Sequence, residues 1–113
     1  MEQLFITLTV LSIYFFATSP LTEAWKVTLF ADPKFGGASV PLEGKENEND
    51  CKNVPETLQE TISSIRIDAG GPLNFYWAKS CYNILETYSS SQEDLTSNSL
   101  VNDKIVSVNW TGL

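Results

Sequence analysis

From residue 25 onward, apolar residues gather in short blocks of β-branched and aromatic type, and Gly, Pro, Asn and Ser separate the blocks. Trp25 to Phe30 (WKVTLF) predicts a strand, Ala31 to Gly37 (ADPKFGG) a turn, and Ala38 to Leu42 a second strand. The polar, acidic stretch Glu43 to Asp50 (EGKENEND) has the composition of an exposed loop. Ile62 to Ile67 (ISSIRI) predicts the next strand, and Gly70-Gly71-Pro72 breaks the chain. Leu73 to Trp77 (LNFYW), Ile84 to Tyr88 and Ile105 to Trp110 complete the strand set, with Ser89 to Asn98 as a solvated loop. Helical periodicity is weak throughout, so this part of the chain predicts an all-β domain.

The N-terminus follows another rule. A near-continuous apolar run from Leu4 to Ala17 gives way to a looser Thr18 to Ala24, with Thr22 and Ala24 small enough for the −3 and −1 positions before a cleavage site. Residues 1–24 are therefore expected to be a cleaved signal peptide, although the first three residues carry no Lys or Arg. The run is short of the roughly 20 apolar residues a spanning helix needs, so no membrane span is expected after cleavage. Residues 25–113 then form the mature, secreted protein, long enough for one domain.

Charge and cysteines narrow the picture. Past residue 24 the chain carries 12 acidic and 7 basic residues, a net charge of −5, with no basic cluster. Nucleic acid and anionic membrane are thus disfavoured as partners. A domain this small buries a modest share of its unfolded surface and gains from covalent help. Cys51 and Cys81 are the only cysteines, and in an oxidising compartment an isolated pair is expected to form a disulfide.

The chain also repeats itself. Val27-Thr28-Leu29-Phe30 aligns with Leu73-Asn74-Phe75-Tyr76, and the same offset pairs Phe35 with Cys81 and Gly37 with Asn83. After a three-residue shift, Ile62 to Ile67 aligns with Ile105 to Trp110. Each half, about 25–69 and about 72–113, reads as strand, folded hairpin, strand, polar loop, strand. A half on its own leaves an apolar face uncovered, so the halves must pack together.

At these residues the chain resembles the βγ-crystallin family, whose Greek-key signature is an aromatic, four residues, an aromatic, one residue, then Gly. Phe30, Phe35 and Gly37 satisfy it in full. In the second copy Tyr76 keeps the first aromatic, Cys81 replaces the second, and Asn83 stands for Gly; Asn is among the residues that best tolerate positive φ. The resemblance implies a Greek-key β-sandwich of two four-stranded motifs. It also implies calcium loops of two Asn/Asp residues, two variable residues, a Ser/Thr and a Ser, because calcium takes six to eight oxygen ligands. Here the first loop is Gln59 to Ser64, without the Asn/Asp pair, and the second is Asn102 to Ser107, with Val106 at the hydroxyl position. The family's loops exchange ligands, so one site built from Asp103, the Lys104 carbonyl and Ser63, with Asn102 beside them, could survive; the alternative is that both loops are simply the turns that start the closing strands. A site that needs Glu60 and Val106 has lost an oxygen.

No enzyme is expected: the chain has no His, no paired nucleophile and base, and no phosphate-cradling Gly loop. Asn109-Trp110-Thr111 is an N-glycosylation sequon, and strand alternation would turn Asn109 outward, away from the face of Val108 and Trp110. Trp77 and Tyr82 read equally as interface residues or as packing within the hairpin. Two functions remain open. One is a secreted, non-catalytic structural or binding module whose partner is an extracellular protein. The other is a secreted effector, that is a protease inhibitor, toxin or antimicrobial, with Glu43 to Asp50 and Ser89 to Asn98 as its long loops; the acidic charge counts against a membrane-active antimicrobial.

Overall fold

The structure is a computed structural model, and it describes residues 25–111. Among them are seven strands: β1 (Trp25–Asp32), β2 (Gly36–Gly44), β3 (Lys52–Asn53), β4 (Ser64–Ala69), β5 (Leu73–Ala78), β6 (Tyr82–Tyr88) and β7 (Ser107–Trp110). They make one sheet in the order β2-β1-β4 and a second in the order β3-β7-β5-β6, all pairs antiparallel. No helix among the described residues is long and apolar enough to cross a membrane. The signal-peptide reading falls on residues 1–24, outside the described residues.

The two halves exchange strands. β3 follows β2 in sequence but joins the other half's sheet, where Lys52 pairs with Val108 and Asn53 with Ser107. The second half returns the exchange only as one bridge, Gln92 to Ile65, with amide-to-carbonyl bonds of 2.8 Å in both directions. The expected second set of four strands thus has three strands and a bridge; Ser89, Ser90 and Ser91 lead into that segment and offer no apolar face to hold a longer ladder. The closing strands also begin two residues later than the sequence pattern suggests. Ile62-Ser63 and Ile105-Val106 still belong to the preceding loops.

The core lies between the sheets. Trp25, Val27 and Leu29 point inward from alternate positions of β1 and meet Ile65, Leu73, Phe75 and Val108. Five further buried residues, Val54, Ile62, Leu95, Val101 and Ile105, come from the connections, so the loops themselves close the sandwich ends. Phe75 is wholly buried and its ring lies 5.7 Å from that of Tyr88; truncating it to Ala would cost about 3–5 kcal/mol.

Candidate functional site

Each half folds one hairpin back over its sheet. In the first, Lys34, Phe35 and Gly37 all have positive φ (59°, 58° and 75°); in the second, Ser80, Cys81 and Asn83 do (60°, 60° and 61°). Gly37 is required for a second reason: a Cβ there would come within 2.5 Å of Asp32 Oδ2. Asn83 occupies the same conformation at a modest cost, as its side chain permits.

A serine locks each fold. Ser64 Oγ accepts the Phe35 amide at 3.0 Å and donates to the Asp32 carbonyl at 2.6 Å. Ser107 Oγ accepts the Cys81 amide at 2.9 Å and donates to the Ala78 carbonyl at 2.6 Å. Phe30 packs on Phe35 with ring centroids 5.5 Å apart, and the Arg66 guanidinium lies 5.3 Å from the Phe30 centroid. In the second hairpin the aromatic partner is gone, and Cys81 is instead bonded to Cys51, with a Cα–Cα distance of 6.1 Å. This disulfide ties the segment entering β3 to the other half's hairpin.

The two loops that precede β4 and β7 interlock at the junction of the halves. Glu60 and Asp103 have φ of 60° and 63°. The Glu60 amide donates to the Ile105 carbonyl at 3.3 Å, and the Asp103 amide donates to the Ile62 carbonyl at 3.0 Å. Their side chains do not repeat this symmetry. Ser63 Oγ donates to Asp103 Oδ1 at 3.3 Å, and Asn102 Oδ1 is buried with no hydrogen-bond partner among the described residues. On the other side Val106, 5% exposed, occupies the position equivalent to Ser63 and has no oxygen to offer. The structure thus brings Ser63 and Asp103 together, while Val106 leaves the Glu60 side without the corresponding hydroxyl. No group of three or more His, Cys, Asp or Glu lies together among the described residues.

One sequence expectation is corrected. Asn109 leaves the core face as alternation predicts, yet it is 7% exposed. Its Nδ2 donates to the Glu48 carbonyl at 2.9 Å, and its Oδ1 accepts from Tyr76 Oη at 3.1 Å and Asn74 Nδ2 at 3.2 Å. The loop before β3 lies over this face of the sheet and encloses the amide that a glycan would need. The loop is itself braced. Asp50 Oδ2 accepts the Lys45 amide at 2.7 Å and its Oδ1 lies 3.1 Å from the Lys52 ammonium; these contacts hold the Asp50 carboxyl below its ordinary pKa.

Trp77 and Tyr82 do not pack beneath the hairpin; they are 50% and 68% exposed. Beside Trp77 lies a groove of about 450 Å³ lined by Asn83, Ile84, Leu85, Leu100 and Lys104. Ile84 and Leu100 escape notice in the sequence because a strand residue beside a bulge and one Leu in a polar loop carry no periodic signal.

Two antiparallel sheets, joined by an exchanged third strand and closed by two folded hairpins, define an all-β domain of paired Greek keys. Among solved structures the chain is similar to a βγ-crystallin from an archaeon (20% identity over 78% of this chain and 99% of that one, TM-score 0.61). It is also similar to a βγ-crystallin domain from Clostridium beijerinckii (25% identity, 74% and 93%, TM-score 0.56). A third likeness is to the fifth crystallin domain of the non-lens protein Absent in melanoma 1 (16%, 79% and 89%, TM-score 0.56). No protein-family model matches the sequence, and no curated protein matches it. The chain therefore shares the fold of these βγ-crystallin domains.

Proposed function

We propose that the protein is a secreted, non-catalytic βγ-crystallin module that works through its stability and its binding surface, and that it keeps one weak calcium site. The observation that carries the calcium reading is the pairing of Ser63 with Asp103 beside the partnerless Asn102 oxygen. A cation there would join the two loops at the junction of the halves, drawing on the Asp103 carboxylate, the Ser63 hydroxyl and the Lys104 carbonyl. With one carboxylate in the set, affinity belongs in the range of extracellular modules, about 0.1–1 mM. The absence of His and of any nucleophile–base pair supports the non-catalytic reading.

The test is calorimetric titration of calcium into protein purified from the medium of secreting cells. Wild-type protein and Glu60→Gln should bind alike, Asp103→Asn should lose the heat, and calcium should raise the melting temperature of the first two only. No heat from the wild type removes the calcium site. Retention of the protein inside the cells removes secretion.

A second reading, a secreted protease inhibitor, is favoured by the bracing of the exposed loop Lys45 to Asp50. Hydrogen bonds within the loop, the Asn109 contact and the neighbouring disulfide hold it in one shape, as an inhibitory loop requires. Failure to slow any of a panel of serine and cysteine proteases at stoichiometric excess would exclude it.

A further inference from the structure

The described residues expose four large hydrophobic side chains, Trp77, Tyr82, Ile84 and Leu100, at 50%, 68%, 56% and 76%. Scattered singly over a surface such residues need no explanation; gathered together they do. Trp77, Ile84 and Leu100 line the same groove, and Tyr82 lies two residues before Ile84 on the same face of β6.

We infer that this patch is the interface of a homodimer in which two copies meet across β6 with a two-fold axis near Ile84. The chain carries both halves of what such an interface requires, since an isologous contact must be complementary to itself. Its apolar centre is Ile84, Leu100 and Trp77. Its charges are Lys104 in the groove and Glu86 on β6, and neither has an ion-pair partner among the described residues.

The strand pairing fixes where each charge lies. Tyr82 pairs with Ala78 at the hairpin end of β5 and β6, and the Val106 amide bonds the Tyr76 carbonyl, so that Lys104, two residues earlier, lies toward that end; Glu86 pairs with Phe75, farther from the turn. Two β6 strands that run antiparallel about Ile84 set Glu86 of one copy opposite Tyr82 of the other. That places each carboxylate at the end of the groove where the other copy's Lys104 lies.

Of the four sheet edges, β3 is two residues long and β4 is bridged by Gln92 at Ile65, which leaves β2 and β6 as the long ones. The outer edge of β2 carries Pro41, Glu43 and three glycines, Gly36, Gly37 and Gly44, which blunt pairing. β6 (YNILETY) has no Pro, Gly or Lys, and among the described residues its backbone bonds only to β5. The extra residue Leu85, which faces no partner between Glu86 and Ile84, breaks the regular ladder of β6. The contact is therefore one of side chains that closes at two copies, and not a sheet that keeps adding strands.

Sedimentation velocity of the secreted protein, in a chelator so that calcium plays no part, tests this between about 1 μM and 1 mM. A concentration-dependent monomer–dimer equilibrium is expected. Lys104→Glu and Glu86→Lys should each weaken dimerisation about tenfold or more, and the double variant should regain most of the loss. Ile84→Asp should give monomers with an unchanged melting temperature, since the side chain is more than half exposed. A wild type that stays monomeric throughout overturns the proposal, and it does so in favour of a different partner if the groove then binds another extracellular protein or neutral lipid vesicles. A dimer that survives Ile84→Asp, or a charge swap that rescues nothing, overturns it as well.

Discussion

The Ser107 hydroxyl stands to the Cys81 amide as the Ser64 hydroxyl stands to the Phe35 amide, at 2.9 Å and 3.0 Å, although the residues held are a half-cystine and an aromatic. Each hydroxyl is wholly buried and bonds twice, once as acceptor and once as donor to a hairpin carbonyl. Its removal leaves an amide and a carbonyl without partners in a site water cannot easily reach. Ser64→Ala and Ser107→Ala should each cost about 2–4 kcal/mol, since a buried polar group left unsatisfied costs about 1–3 kcal/mol. In a domain of this size that lowers the melting temperature by roughly 10 °C or more. Exposed Ser90→Ala is the control. A melting temperature within a degree or two of wild type for both buried variants would show that the hairpins hold without these locks.

The disulfide should matter most to the second hairpin, which lacks the tilted Phe30–Phe35 pair of the first. Cys51 and Cys81 are 30 residues apart, and closing such a loop in the unfolded chain corresponds to about 3–4 kcal/mol in the chain-entropy model. The double variant Cys51→Ala/Cys81→Ala should lose about that much in urea unfolding. Hydrogen exchange should show the loss first at β3 and at the Ser80–Cys81 amides. Equal protection in variant and wild type at those amides would mean that Ser107 alone suffices.

What the sequence reveals and what it hides divide along a physical line. Phe30, Phe35 and Gly37 are legible because a positive φ and an aromatic contact are local demands, met within eight residues. Asn83 is legible for the same reason. Strand β3 is not: Lys52-Asn53 has no apolar alternation, and it is a strand only because β7 lies beside it. The Ser63–Asp103 contact is half legible, since the repeat indicates which loops correspond, but the loss of symmetry at Val106 shows only as a missing hydroxyl. The burial of Asn109 was hidden altogether. Alternation correctly turns it from the core, but only the chain crossing from Lys45 to Cys51 covers it, and that contact spans 61 residues.

That covering leads to an expectation about modification. The Asn109 amide nitrogen is engaged by the Glu48 carbonyl and its oxygen by two donors, so a glycan on this nitrogen would displace the loop beside the disulfide. Protein from a secreting animal cell line should therefore show no mass change on treatment with an amidase that removes N-glycans. Asn109→Leu should be destabilised by about 2–4 kcal/mol, because the Glu48 carbonyl and Tyr76 hydroxyl lose their partner in a part-buried site. A full glycan on the folded, disulfide-bonded protein would contradict the enclosed geometry directly.

Acid should loosen the first sheet through Asp68. Burial alone would raise the pKa of this carboxyl, but the Thr28 hydroxyl at 2.7 Å and the Arg66 guanidinium at 2.7 Å outweigh it and hold it below its ordinary value of 3.8. A group whose pKa is depressed on folding stabilises the protein fully above its unfolded pKa, and the contribution disappears as pH falls through the folded value. Wild-type stability should thus be level near neutral pH and decline below about pH 4. Asp50 and Asp94 are shifted the same way by their own hydrogen bonds and add to the decline. Asp68→Asn should start from a lower plateau at pH 7 and fall less steeply on acidification, since it has no proton to take up. Thr28→Val removes one of the two bonds and should lie between. Urea midpoints measured from pH 7 to pH 2.5 separate these cases, and parallel curves for wild type and Asp68→Asn would show that the Thr28–Asp68–Arg66 cluster does not govern the acid limb.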